Sequence, residues 1–270
     1  MKFCSVSLEE SDFAFHFNRL MVLTMGRVLN PLYRWMPFLP SERKIRESAA
    51  FLNSLAYDAI KEARKRDSSH PKDLLSSFLD HDTTDEYLRD VFINVLVAGR
   101  DTTSQTLAWC CYHLSKNLEV QNKLRAELER LGHSDAPQWK VHVDGALPYL
   151  NAVIKETLRL APPVPVDIKS AINADTLPGS GAQIPAGTIF DWAQWISSRD
   201  EANFDEPDRF WPERWLNESA KTPPSNNQPP WMPFQYGPRV CLGLWLFFVC
   251  FFLRKAFTSF FLFEKVCGLL

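Results

Sequence analysis

The chain has 270 residues, 46% of them hydrophobic, with 30 Lys plus Arg against 32 Asp plus Glu and a formal net charge of −2. That length is near the upper size for one hydrophobic core, so one large domain or two small ones fit it. Scattered basic residues without an aromatic-plus-basic patch give no case for nucleic acid, and six Cys without regular spacing or a CxxC pair argue against a disulfide framework and for a reduced, intracellular setting.

The start, MKFCSVSLEESDF, lacks a basic region followed by an apolar one and does not read as a signal peptide. Ser11 to Met36 is apolar and aromatic with helical spacing, ending at Pro37 and Pro40. Ser41 is placed to cap a second helix over Arg43 to Arg66, with Ala49, Leu52, Ala56, Ala59 and Ala63 on one side. Its end, KEARKRDSSHP, is a charged, solvated terminus and loop. Asp73–Asp80 reads as a short helix. Thr84 then caps a long one through Lys116 whose apolar face holds Leu88, Val91, Phe92, Val95 and Leu96. Residues 117–131 are amphipathic. Pro148 opens a further helix that Pro162 and Pro163 stop.

Beyond that point the pattern changes. VPVDIKSAI and TIFDWAQW alternate as strands do, around the turn-rich LPGSGAQIPAG, and 203–231 is Pro-rich loop. There are no internal repeats. The architecture reads as mostly helical with a minor β element. The greasy stretch Leu244–Leu253 runs for ten residues before Arg254 and Lys255, against the about 20 that a spanning helix needs.

Three stretches carry candidate chemistry. In ETLR, Glu156 and Arg159 lie three apart on one side of an apolar helix. A surface ion pair is the plain reading. Burial would demand further donors, and Arg214 of WPERW is a candidate. AGRDTT, Ala98 to Thr103, puts Gly, an acid and two β-branched hydroxyls into a long helix, all poor helix formers. Gly99 would let a flat ligand approach the backbone, Thr102 could bond the Ala98 carbonyl, and Asp101 could relay protons. A kinked core helix with a solvated Asp is the competing reading.

The third stretch is FQYGPRVCLG, with Cys241 in a loop of Gly, Pro and Arg. Freed backbone N–H groups, Arg239 and a following helix N-terminus would all favour thiolate there. Cys4, Cys110 and Cys111 read instead as inert buried thiols. A nucleophilic role for Cys241 lacks a His in a recognisable frame, so a thiol-dependent hydrolase has little support. Zinc would need three more ligands, and none lies within four residues. A single protein thiolate on iron is the haem-thiolate arrangement.

AGRDTT, ETLR, PERW and FQYGPRVCLG occur in that order, and together they resemble the cytochrome P-450 monooxygenases, over roughly residues 12 to 243. The resemblance implies a mainly α fold, the C-terminal half of the cytochrome P-450 fold, helical with a minor β-sheet. It implies haem b as cofactor, with Cys241 as the axial thiolate. Phe234 would pack beside the sulfur, Gly237 allow a tight turn, and Arg239 pair with a haem propionate. Gly243 would let the next helix lie close to the ring, and Ala98 and Gly99 make room for dioxygen. Asp101 and Thr102 look like the acid–alcohol pair that delivers protons during oxygen activation. Glu156, Arg159 and Arg214 resemble the buried structural triad. Lys169 stands where relatives often carry a propionate-binding Arg, although Lys lacks the planar fork. Val164, Pro165 and Val166 fall where the family lines its substrate pocket.

The form AGRDTT with LRLAPPVPV and TLPGSG looks most like the fatty-acid and alkane hydroxylating branch. The implied partners are an NADPH–cytochrome reductase, O2 and an apolar small-molecule substrate, at the endoplasmic reticulum membrane. A chain without its own anchor would leave the cytoplasm open. Residues 1–243 are expected to be an incomplete catalytic domain, lacking the family's N-terminal anchor and early elements. Residues 244–270 are expected to be an atypical tail with eight Phe, departing from the family frame after Gly243. An unspliced intron or a mispredicted gene end would account for it, and a spliced message encoding the same tail would refute that origin. The expected alternative to an active enzyme is a truncated member that holds no haem.

Overall fold

The computed structural model describes residues 11–30, 32, 35–66, 74–79, 83–130, 147–216 and 231–244. It divides into two compact units, 1–98 and 99–270, whose boundary falls inside one long helix. The expected tail lies beyond the described residues except for Leu244.

In the first unit, α1 spans Asp12–Leu29, with Ser11 accepting the Ala14 N–H as its cap. The expectation of a helix to Met36 is corrected. Asn30 is extended because Pro31 follows it, and a residue before proline is pushed out of the α region. α2 spans Pro40–Arg64 and is capped from Leu39 without a side-chain bond. Ser41 is therefore inside the helix and Pro40 opens it, since a missing N–H costs nothing in the first turn. The buried stripe of α2 is Ile45, Ser48, Leu52, Ala56, Ile60 and Ala63, spaced as one helical face must be. It packs on α1, where Phe17 is buried. Arg19 donates to Ser48 at 2.8 Å and to Glu47 at 2.9 Å, and Arg27 pairs with the buried Glu42. α3 is Leu74–Leu79.

α4 runs unbroken from Asp85 to Lys116, through the AGRDTT stretch. Thr84 Oγ1 accepts from Tyr87 N at 3.3 Å, as a cap should. Leu88 is fully buried, whereas Val91, Phe92, Val95 and Leu96 are half-buried. Among the described residues, no helix is long and apolar enough to cross a membrane.

The second unit is built around α6, Pro148–Leu160, of which ten residues are buried. α5, Leu118–Arg130, packs against it through Val120 and Leu124. Leu114 and Cys110 of α4 join the same apolar cluster, as do Phe210, Trp231 and Phe234. Beyond α6 the backbone forms two small antiparallel sheets. β1, Asp167–Ser170, pairs with β4, Ile189–Trp192, in the register Asp167↔Trp192 and Lys169↔Phe190. Between them β2, Asp175–Thr176, pairs with β3, Gln183–Ile184. The strand reading of TIFDWAQW holds only to Trp192, because Gln194–Ser197 turns into the short helix α7. The stretch read as loop contains a 3-10 turn at Pro212–Trp215.

Candidate functional site

Glu156 and Arg159 lie on the buried face of α6, three residues apart, so their side chains meet across one turn. Arg159 Nε and Nη2 each lie 2.9 Å from a Glu156 oxygen, a bidentate pair with both side chains fully buried. Arg214, on the Pro212–Trp215 turn, donates to Glu156 Oε1 at 3.1 Å. The three residues that the sequence suggested as a triad are thus brought together.

Two further donors were not foreseen. Trp211 N reaches Oε1 and Trp215 Nε1 reaches Oε2, both at 2.9 Å. Five hydrogen bonds therefore serve one carboxylate, which is how a buried charge avoids a large desolvation penalty. The indole of WPERW beside the motif Arg was the only available signal. The remaining guanidinium protons hold loop carbonyls: Arg159 bonds Ser198, Pro207 and Arg209 O at 2.7, 2.6 and 3.1 Å, and Arg214 bonds Asp205 and Glu206 O at 2.7 and 3.2 Å. The triad organises the backbone from 198 to 214 rather than facing solvent.

α5 fastens the same assembly from the other side. Leu147 offers α6 no side-chain cap. Glu127 supplies one in trans, its two oxygens accepting from Tyr149 N and Leu150 N at 2.8 Å. Lys123 Nζ and Tyr149 Oη both donate to Glu213 Oε1, at 2.8 and 2.9 Å.

The Cys241 loop leaves the apolar cluster at Phe234 and Trp231. Cys241 N donates to Phe234 O at 2.8 Å, Val240 N to Gly237 O at 3.1 Å, and Leu244 N to Cys241 O at 3.2 Å. Gly237 has φ +73, so glycine is needed there for conformation; a Cβ would meet no atom within 4 Å. The Cys241 thiol is exposed, in contrast with Cys110. A Cβ on Gly243 would sit 3.7 Å from Cys241 Sγ, an ordinary contact. The expectation of free N–H groups around the sulfur is corrected at Cys241 itself, whose amide is committed to Phe234.

Arg239 is exposed and has no ion-pair partner among the described residues. Lys169 on β1 is 61% exposed and is engaged, with Nζ 2.8 Å from Gln235 Oε1 and 3.3 Å from Asp167 Oδ2. Gln235, at φ +63 in the loop, is a residue no sequence signal singled out.

On α4, Ala98 and Gly99 are exposed, and a Cβ on Gly99 would enter open space. Asp101 and Thr102 are half-buried. Asp101 Oδ1 accepts from Arg100 Nη1 at 3.1 Å, so the acid is paired rather than merely solvated. Thr106 Oγ1 donates to Thr102 O at 2.8 Å while the helix stays continuous.

Among the described residues, no group of three His, Cys, Asp or Glu converges as a metal cage. The available donor is one accessible thiol in a tight loop with a cation two residues before it. That chemistry fits a haem held by a single thiolate.

The family model described as Cytochrome P450 matches residues 7–246. The mitochondrial sterol 26-hydroxylase of Oryctolagus cuniculus is 45% identical over 152 residues, covering 55% of this chain and 28% of that protein. Cytochrome P450 94C1 of Arabidopsis thaliana is 35% identical over 244 residues, covering 86% of this chain and 49% of that protein. Cytochrome P450 704B1 of the same plant is 30% identical over 289 residues, covering 87% and 54%. The chain thus spans about half the length, or less, of these curated relatives.

Proposed function

The chain belongs to the cytochrome P450 family, and from that membership we propose that it is a haem-thiolate monooxygenase inserting one oxygen atom of O2 into an apolar C–H bond. The observation that carries the reading is the Cys241 loop, an exposed thiol on a backbone closed by the Cys241 N to Phe234 O bond. Haem, when bound, would supply the oxygen chemistry, with thiolate electron density favouring O–O cleavage.

The residues take the following parts. Cys241 holds the iron. Phe234, packed on the apolar cluster, shields the sulfur side. Arg239 would meet one propionate, and Lys169 would meet another with the ammonium proton left over from Gln235 and Asp167. Gly243 gives the backbone room beside the ring. Ala98 and Gly99 leave space on the α4 side, and Asp101 with Thr102 passes protons inward. For that, Asp101 must release Arg100, and a half-exposed pair worth under about 1 kcal/mol is cheap to open. Glu156, Arg159 and Arg214 act through structure alone.

The substrate is an apolar molecule with a long alkyl portion, of the fatty-acid or alkane type. The relative whose name is sterol 26-hydroxylase supports alkyl-carbon hydroxylation more widely. Electrons come from NADPH through a reductase, at the endoplasmic reticulum membrane. Residues 1–243 belong to the catalytic domain, and 244–270 are a separate tail.

The test is a spectrum. The chain is expressed with haem supply, reduced, and exposed to carbon monoxide. A strongly red-shifted Soret band is expected, lost in Cys241→Ala and kept in Cys110→Ala. Folded protein without the band refutes haem-thiolate ligation. If the band is present, fatty-acid, alkane and sterol turnover with a supplied reductase separates the substrate classes.

A further inference from the structure

Gln235 has a conformation that its own chemistry does not favour. At φ +63 it sits in the left-handed region, which suits Gly and, less often, Asn or Asp. Its neighbour Phe234 provides the carbonyl that accepts the Cys241 N–H, so the φ of Gln235 sets where the strand of chain after that carbonyl goes. Strain of this kind persists where the surroundings over-determine it.

The surroundings are two side chains of β1. Lys169 Nζ donates to Gln235 Oε1 at 2.8 Å, and Gln235 Nε2 donates to Asp167 Oδ2 at 2.7 Å. Lys169 and Asp167 are also paired with each other at 3.3 Å. They are two apart on a strand and so stand on one face. An ammonium can only donate and a carboxylate can only accept, so the Gln235 amide fits between them in one orientation alone. β1 is itself held by β4. The loop has its second left-handed residue at Gly237, where glycine needs no help.

We propose that Asp167, Lys169 and Gln235 form a polar clamp that fastens the thiol-bearing loop to β1, making Gln235 a positioning residue for Cys241. Released from the clamp, Gln235 relaxes toward negative φ and carries the Phe234 carbonyl away from the Cys241 amide. That the positioned thiol serves haem rests on the function proposed above; the clamp does not.

The experiment uses the full chain without added haem. Amide hydrogen exchange, read by mass spectrometry, is compared between the parent, the double variant Asp167→Ala/Lys169→Met, and Gln235→Leu. Leu has no preference for the left-handed conformation and offers neither partner a donor or an acceptor. In both variants the peptide over 234–244 is expected to exchange about tenfold faster or more, with α6 unchanged. The alkylation rate of Cys241 should change while the buried Cys110 stays protected, which a loss of bulk stability would not produce. Unchanged protection of 234–244 in either variant overturns the proposal, and so does an equal loss across α6 and the loop. The carbon monoxide spectrum judges the haem reading separately, so the two can fail independently.

Discussion

Arg214 Nε donates to Glu156 Oε1 at 3.1 Å across 58 residues of sequence, with 5% of one side chain and 0% of the other exposed. At this depth a charge without its partner is costly, whereas the same pair at the surface contributes under about 1 kcal/mol. The pair joins α6 to the Pro212–Trp215 turn, and through Arg159 the same carboxylate reaches the loop carbonyls at 198, 207 and 209.

Glu156→Gln is therefore expected to destabilise the second unit strongly. The amide would point donors at two guanidinium groups that have no other carboxylate partner among the described residues. The expected loss is about 3–5 kcal/mol, read as a fall in the urea midpoint or, where that exceeds the available stability, as loss of soluble folded protein. A loss under about 1 kcal/mol would contradict a buried triad.

Glu127→Ala should loosen α6 at its start without touching the triad. It removes the acceptor from Tyr149 N and Leu150 N, and no side chain at Leu147 replaces it. A cost of about 1–2 kcal/mol follows from losing a helix cap. Faster amide exchange confined to the first turn of α6 is the check.

Acid should weaken the second unit through His113. Its ring stacks on Phe210 at 4.6 Å and 3°, and the buried Nε2 has no hydrogen-bond partner among the described residues. Burial lowers its pKa below the ordinary 6.5; the Glu156 carboxylate opposes the shift, and the Arg199 and Arg159 cations add to it. The unfolded chain then binds more protons than the folded one just below that ordinary value. Stability is full above it and falls as pH drops toward the folded pKa. Thermal midpoints between about pH 7.5 and about 5.5 should decline, and His113→Phe should flatten part of the slope. An unchanged slope in that variant would rule His113 out.

The cysteines should separate by reactivity. Burial pushes the Cys110 thiol up to about 12, while Cys241 is exposed. Alkylation of the native chain at about pH 8 is expected to mark Cys241 and spare Cys110 until denaturant is added. Peptide mass spectrometry reads both sites at once. Equal labelling would show that the core around α6 is open.

Most helices could be placed from sequence because local rules agreed with the final structure. Thr84 capped α4, and Pro148 with Pro162 bracketed α6. The misplacements came from neighbours overriding a good local candidate. Pro31 ended α1 early, and Pro40 displaced Ser41 as the start of α2. The triad was visible because Glu156 and Arg159 share a helical face that is otherwise apolar, and such a face leaves a charge needing company.

Motif order and residue chemistry in the sequence were enough to determine the family resemblance, the mainly helical class and the nomination of Cys241, Glu156, Arg159 and Arg214. Those depend on short-range spacing, which the chain carries wherever it folds. Tertiary structure alone decided that Glu156 takes the Trp211 backbone N–H and the Trp215 indole as further donors, that Glu127 caps a helix it does not belong to, and that Gln235 is held left-handed between Asp167 and Lys169. Each of these joins residues 22 to 68 positions apart. Hydrogen-bond partners at such separations are chosen by how elements pack, and no local pattern encodes that choice.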